Sequence, residues 1–459
     1  MDNECFLFDK RHLKSQVATD NDNEILHKIL SDKLDLEDLR KNKSNYAKNY
    51  VYFFDKLQDF KQKRSSDWIN FCKFMLGRNL FILFVSCDSQ DSAMTIFNTL
   101  NSRGLPLANA DILKGYIYKS KSENERKDFA QVWRELESSV EDSDRIKDLD
   151  FLFLQYMHII RAINKDSDTT TPSVLDFFTK KSNTNFKKKV CYGANDGWLY
   201  KDFTMPFIVN LSKFWINYEN YLNELCCRYM GVLDVFQNVG WKSFVSSLVW
   251  KNRKYFEKEE FDKDAFSEDF EINLLKLIKI ITLPYLHEQG TSSVIDKIIY
   301  KVNVDILNER NIEINQGYKM PDSEESFCKT FDSTNAKKMK YILLLDSYIY
   351  DNFTHDISSK LEIEHILPKA WQDANFNGWD EDTHKDYLEQ IGNKVLLNKK
   401  SNIKCINNFF AKKQEEYKKD INLKEVKELG NRDKKIWDKE DIKNRNKNIY
   451  NRIKKFVEV

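Results

Sequence analysis

A short segment of this 459-residue chain carries side chains of the types needed to hydrolyse a phosphodiester bond. It begins as Leu361-Glu-Ile-Glu-His-Ile-Leu-Pro368, resumes as Ile391-Gly-Asn-Lys-Val-Leu-Leu-Asn398, and ends at Asn402. That reaction needs an imidazole to deprotonate the attacking water. It also needs oxygen ligands for a hard divalent ion, which neutralises phosphate charge and stabilises the leaving oxygen. Glu364, His365, Asn393 and Asn402 supply these groups, with one amide to spare for orienting the ring.

The surrounding pattern says how they would be brought together. Residues 361–367 alternate apolar and polar, as a half-buried strand does, and Pro368 stops it. Gly392 and Asn393 suit a turn opening a second strand, Lys394 to Leu397. From Lys399 the spacing becomes helical, with Asn402, Ile406, Phe409 and Lys413 on one side. Taken singly, a His beside a Glu, an Asn after a Gly and an Asn near a helix start are ordinary structural residues. In this order, with strand, strand and helix around them, they point to a ββα hydrolase site.

The same pieces resemble the HNH nuclease domain of the GmrSD-type, modification-dependent (type IV) restriction endonucleases. The resemblance rests on Ile363-Glu-His-Ile-Leu-Pro368, Ile391-Gly-Asn393, Leu396-Leu397, Asn402 and Phe410-Ala-Lys-Lys-Gln-Glu-Glu-Tyr417, and on the nine-residue step from Asn393 to Asn402. It implies that His365 is the general base, that Glu364 and Asn402 hold the metal, and that Asn393 supports the loop and the imidazole. It also implies a DNA phosphate contact at Lys412 or Lys413. Asn at the third motif position, where many relatives have His, suits Mg²⁺ or Mn²⁺ better than zinc.

A second resemblance covers about residues 76 to 118. Ala93-Met-Thr-Ile-Phe-Asn-Thr-Leu-Asn-Ser-Arg-Gly-Leu-Pro-Leu107, with Asp111-Ile-Leu-Lys114, is similar to the later half of the ParB/sulfiredoxin-like domain of the same proteins. It implies nucleotide (GTP or ATP) binding at Asn101, Arg103 and Gly104, although those residues alone read as a plain turn. The family's Asp-Gly-Gln-Gln-Arg motif is not found in residues 1–80. Either a separate polypeptide supplies it, or the gene is truncated or split.

The whole chain frames these readings. Hydrophobic residues make up 41% and charged residues 32%, which excludes a disordered chain. Only 12 Gly and 6 Pro favour helices over a β-sandwich. No apolar run reaches the roughly 20 residues of a membrane span, and the N-terminus has no signal-peptide pattern, so a cytoplasmic protein without a membrane partner is expected. The eight cysteines form no CxxC pair, which excludes a zinc knuckle and a disulfide framework. From Lys394 onward 20 Lys+Arg face 10 Asp+Glu, a surface suited to phosphate backbones or simply to solvent.

Helices are expected at Tyr46–Phe60, Trp68–Met75, Ser92–Leu100, Asp111–Tyr118, Leu149–Ile163, Met205–Val235, Trp241–Trp250, Phe270–Thr282 and Asn335–Tyr350. A buried strand is expected at Leu80–Ser86, and the polar stretch 119–127 reads as a boundary. The resulting expectation is a mainly α, multi-domain (α+β) protein. It divides into a partial ParB-like region (1–125), a helical middle (126–345), a ββα-metal HNH domain (346–430) and a basic C-terminal helix or tail (431–459). The expected activity is metal-dependent cleavage of DNA in restriction of foreign or modified DNA. The alternatives are a cleavage-deficient DNA-binding remnant or subunit of a split system, and an RNase using the same site.

Overall fold

The structure is a computed structural model describing residues 20–31, 35–42, 44–77, 96, 108–181, 192–287, 291–331, 336–357, 360–370, 379–420 and 422–458. Contacts divide the chain into two units, Met1–Leu100 and Asn101–Val459.

In the first unit the described residues form helices Asp20–Leu30, Leu36–Lys41, Asn45–Lys63 and Ser65–Leu76. Side chains of Asp35 and Ser44 accept hydrogen bonds from the backbone N–H of Glu37 and Tyr46, satisfying donors at two helix starts. Ile25, Leu39 and Ala47 make a small core. Apart from Ile96, the strand expected at Leu80–Ser86, the helix at Ser92–Leu100 and the turn at Asn101–Leu107 lie outside the described residues. The ParB-like part of the expected fold falls mostly on them.

The second unit is built on helices. The continuous apolar run Leu149–Ile163 is a buried helix with the expected bounds. The polar stretch 119–127 joins two helices: it ends Asn109–Ser120, and Ser122 and Glu125 form a capping box that opens Glu123–Glu141. The single helix expected over Met205–Val235 is two, Thr204–Ile216 and Glu224–Val235. The break comes where Asn223 turns its side chain onto the N–H of Cys226 and caps the second.

The only sheet among the described residues is a two-stranded hairpin, β1 (Glu362–His365) and β2 (Lys394–Leu397). The strands are antiparallel, pairing Glu362 with Leu397, Ile363 with Leu396, Glu364 with Val395 and His365 with Lys394. A hairpin alone is marginal in water. This one is buried under helices, since every residue of β2 is inaccessible. The helix Ala336–Tyr350 packs on β2, and Lys399–Cys405 packs on β1.

The C-terminal helix Lys439–Glu458 completes the support, with Ile442, Ile449, Ile453 and Val457 inside. Its Arg445 donates to the carbonyls of Ile391, Gly392 and Lys394. Its Asn446 accepts from the N–H of Gly392 at 2.7 Å. Gly392 has no room for a side chain there: a Cβ would lie 2.3 Å from the carbonyl oxygen of Ile442. Arg445 also pairs with Glu425, and Arg452 bridges Glu425 and Asp346. The segment expected as a basic C-terminal helix or tail contains this helix, which walls the hairpin and leaves Lys443, Lys447 and Lys455 on its outer face.

Candidate active site

Strand β1 delivers two side chains to the site. Successive residues of a strand face opposite ways, so Glu364 and His365 leave the hairpin on opposite faces. Both nonetheless line one cleft of about 340 Å³, together with Ile363, Lys369, Asn402, Ile406 and Asn407. Three of the four residues expected to converge therefore border the same space.

The fourth, Asn393, is fully buried beside it. Its carbonyl accepts from the N–H of Ile366, its side-chain oxygen from the N–H of Leu367 at 2.8 Å, and its side-chain nitrogen donates to the carbonyl of Leu388. Asn393 thus clamps the end of β1 to the turn before β2. It holds the backbone that presents His365 rather than bonding the ring itself.

His365 has a side chain only 13% exposed, and its Nε2 lies 3.2 Å from Oε1 of Glu389. Burial, with Lys394 and Lys369 adding repulsion, lowers its pKa to about 4 in spite of Glu389. The ring is neutral at neutral pH and can accept a proton. Glu389 in turn bonds the ammonium of Lys394. Burial resists ionisation of Glu389, but Lys394 and His365 outweigh it, and the carboxyl stays below the usual range.

Glu364 is 6% exposed on its side chain and pairs through Oε1 with Nζ of Lys413 at 2.7 Å. Lys413 also donates to the carbonyl of His365, and the Tyr417 hydroxyl lies 3.4 Å from the same carboxylate. Burial raises the Glu364 carboxyl, against the pull of Lys413. Asn402 donates from Nδ2 to Glu362 at 3.0 Å, and its amide oxygen has no hydrogen bond among the described residues.

The phosphate contact expected of Lys412 or Lys413 needs one correction. Lys413 is 0% exposed and committed to Glu364, so it has no surface to offer a phosphate. Lys412 is exposed. The reason is a break in the helix expected from Lys399 onward. Ile406 takes φ 38° and ψ −131°, ending Lys399–Cys405, and a new helix runs from Phe410 to Tyr417. That second helix turns Lys413 and Tyr417 inward. Asn101, Arg103 and Gly104, the expected nucleotide contacts, lie outside the described residues.

Sequence reading missed Glu389, Glu362, Lys369 and Lys394. Lys394 carried a usable signal: it follows the Gly392-Asn393 turn directly, so strand pairing sets it opposite His365. Glu389 carried none beyond its place just before that turn.

The donor set can be tested against a metal. Among the described residues no group of three or more His, Cys, Asp or Glu stands ready to cage one. Glu364 and Asn402 line the cleft and carry one carboxylate and one amide oxygen, the carboxylate being paired with the buried ammonium of Lys413. Two hard oxygens fit an ion of the Mg²⁺ type, which keeps several waters and takes its remaining ligands from substrate phosphate. They do not fit a closed structural zinc site. No described helix is long and apolar enough to cross a membrane.

Comparison with known proteins bears on both ends of the chain. Residues 323–452 match the family described as GmrSD restriction endonucleases, C-terminal domain. Residues 3–118 match the GmrSD restriction endonuclease, N-terminal domain. The first match contains the hairpin, the cleft and most of the supporting C-terminal helix. No curated protein matches the chain.

Proposed function

The chain belongs to the GmrSD restriction endonuclease family, and from that premise we propose that it is a metal-dependent HNH endonuclease acting on DNA. Membership implies nuclease activity. The finer reading assigns that activity to the cleft of Glu364, His365 and Asn402, in restriction of foreign or modified DNA. The observation that supports it is the shared cleft: a neutral, partly buried imidazole lining the same space as Glu364 and Asn402, at the end of a hairpin followed by a helix.

The residues divide the work as follows. His365 takes a proton from water, whose oxygen then bonds to phosphorus as a P–O ester bond breaks. The departing ester oxygen takes its proton from solvent. Glu364 and Asn402 would hold Mg²⁺ or Mn²⁺, which when bound neutralises phosphate charge and stabilises the leaving oxygen. Asn393 keeps the His365 backbone in place through its bond to Leu367. The exposed Lys412 and the outward lysines of the C-terminal helix would attract phosphates along the duplex. Nucleotide handling remains part of the proposal for the N-terminal unit.

The test is cleavage of plasmid carrying modified or unmodified bases, of single-stranded DNA and of RNA, with Mg²⁺ and with or without GTP or ATP. Duplex cleavage is expected, abolished by chelation and by His365→Ala in a protein that still folds. Full activity of that variant, or activity indifferent to chelator, refutes the assigned base or the metal. Cleavage of RNA alone makes the protein an RNase. Duplex binding without cleavage under every condition makes it a DNA-binding subunit.

A further inference from the structure

Resting on the reading of His365 as the base, we propose that Glu389 is its positioning residue, holding the imidazole in the tautomer that can take a proton from water. The carboxylate of Glu389 accepts at Oε1 from Nε2 of the ring, 3.2 Å away. An anion at that nitrogen requires Nε2 to carry the hydrogen, which leaves the Nδ1 lone pair to receive the proton. A base oriented by a third group is the general logic of activated-nucleophile sites.

Two features make Glu389 more than a passing surface contact. Its second oxygen, Oε2, bonds the ammonium of Lys394, whose side chain is 7% exposed. A buried ammonium needs an anion, so Lys394 keeps the carboxylate ionised and in place although Glu389 itself is 39% exposed. Lys394 stands opposite His365 in the strand register, which fixes the distance that the carboxylate spans. The backbone is anchored as well. Glu389 ends the helix Glu381–Leu388, and the next residue, Gln390, is bonded through its side chain to Asn446 of the C-terminal helix. Glu389, Lys394 and His365 thus form a line in which each charged group is set by its neighbour.

A purely structural role would be to neutralise Lys394. Two readouts separate the roles. The first is ¹⁵N resonance of the His365 ring in the full chain, assigned by its loss in His365→Ala. The wild type is expected to be the Nε2–H tautomer. Glu389→Ala is expected to mix the two tautomers, and Glu389→Gln, whose amide oxygen still accepts from Nε2–H, to restore the first. The second is turnover on cleavable DNA. Glu389→Ala is expected to lose on the order of ten- to a hundredfold in kcat with DNA affinity unchanged, and Glu389→Gln to recover most of it. Should the alanine variant not fold because Lys394 is stranded, the pair Glu389→Met with Lys394→Met removes both charges, and the same losses are expected.

A ring that keeps its tautomer in the alanine or paired methionine variant overturns the proposal, as does a loss confined to DNA binding. The ring measurement needs no turnover. A protein that never cleaves therefore sinks the nuclease reading by a separate observation.

Discussion

Nζ of Lys413 lies 2.7 Å from the carboxylate of Glu364, with the two side chains 0% and 6% exposed. The pair joins the helix Phe410–Tyr417 to the strand that carries His365, and it fills part of the coordination that a cation would share at Glu364. Its energetics are those of a buried pair, in which desolvation offsets much of the attraction. Removing one partner is far worse than removing both.

Lys413→Met should therefore be costly. It leaves the Glu364 carboxylate in the interior with the Tyr417 hydroxyl 3.4 Å away. Breaking a buried pair costs about 3–5 kcal/mol, measurable by urea unfolding, and adding Glu364→Gln should return much of it. Burial already raises the Glu364 carboxyl, so the folded state holds its proton more tightly than the unfolded chain. Stability from this group accordingly falls as pH rises. The deficit of Lys413→Met should be larger at pH 8 than at pH 5. A variant as stable as the wild type would show that the pair is not formed.

Gly392→Ala tests the seat of the hairpin. The added Cβ would meet the Ile442 carbonyl oxygen at 2.3 Å and Asn446 Oδ1 at 2.6 Å, both on the C-terminal helix. Backbone cannot step aside cheaply, so a loss of about 1–3 kcal/mol is expected, together with reduced cleavage as Asn393 is displaced. Gly231→Ala is the control. Its Cβ would find the Tyr348 hydroxyl at an ordinary 3.5 Å, within the helix Glu224–Val235. Equal melting temperatures for the two variants would contradict the tight seat.

What was legible beforehand was local. The alternation before Pro368, the Gly392-Asn393 turn and the strand Lys394–Leu397 are written in neighbouring residues, and β2 forms with the expected bounds. The break at Ile406 was not legible, because a β-branched residue at positive φ is disfavoured locally and nothing in its neighbours signals it. The partners of Lys413 and His365 were hidden for a related reason. Glu364 is far from Lys413 in the chain, and Glu389 meets His365 only across the folded hairpin. The supporting role of Arg445 and Asn446 was masked by a count of positive charges that could not distinguish inner from outer faces.

Lys412→Ala should separate a surface lysine from its buried neighbour. Lys412 is exposed, and if it meets phosphate as proposed, its loss reduces the slope of log affinity against log salt by about 1. Stability should be unaffected. Lys413→Met should leave that slope alone while destabilising the fold. Binding to duplex DNA across a salt series reads both, and an unchanged slope for Lys412→Ala removes it from the interface.

Two histidines with lowered pKa values, His365 and His158, set the behaviour in acid. His365 is held to about 4 by burial and by Lys394 and Lys369, so the ring proposed as the base stays neutral well below the ordinary histidine range. The acid limb of kcat/KM should then lie nearer pH 4 than 6.5, provided the protein remains folded. His158 governs that condition. It stacks on Tyr300, with ring centroids 4.9 Å apart, and burial with Arg161 lowers it to about 3. The unfolded chain binds this proton near pH 6.5 and the folded one near 3, so stability is full above 6.5 and declines as pH falls between them. The whole interval corresponds to roughly 4–5 kcal/mol. His158→Gln should flatten the decline over that interval without moving the activity limb. If the limb stays at 6.5 in a protein shown to be folded at pH 5, His365 is not the titrating base.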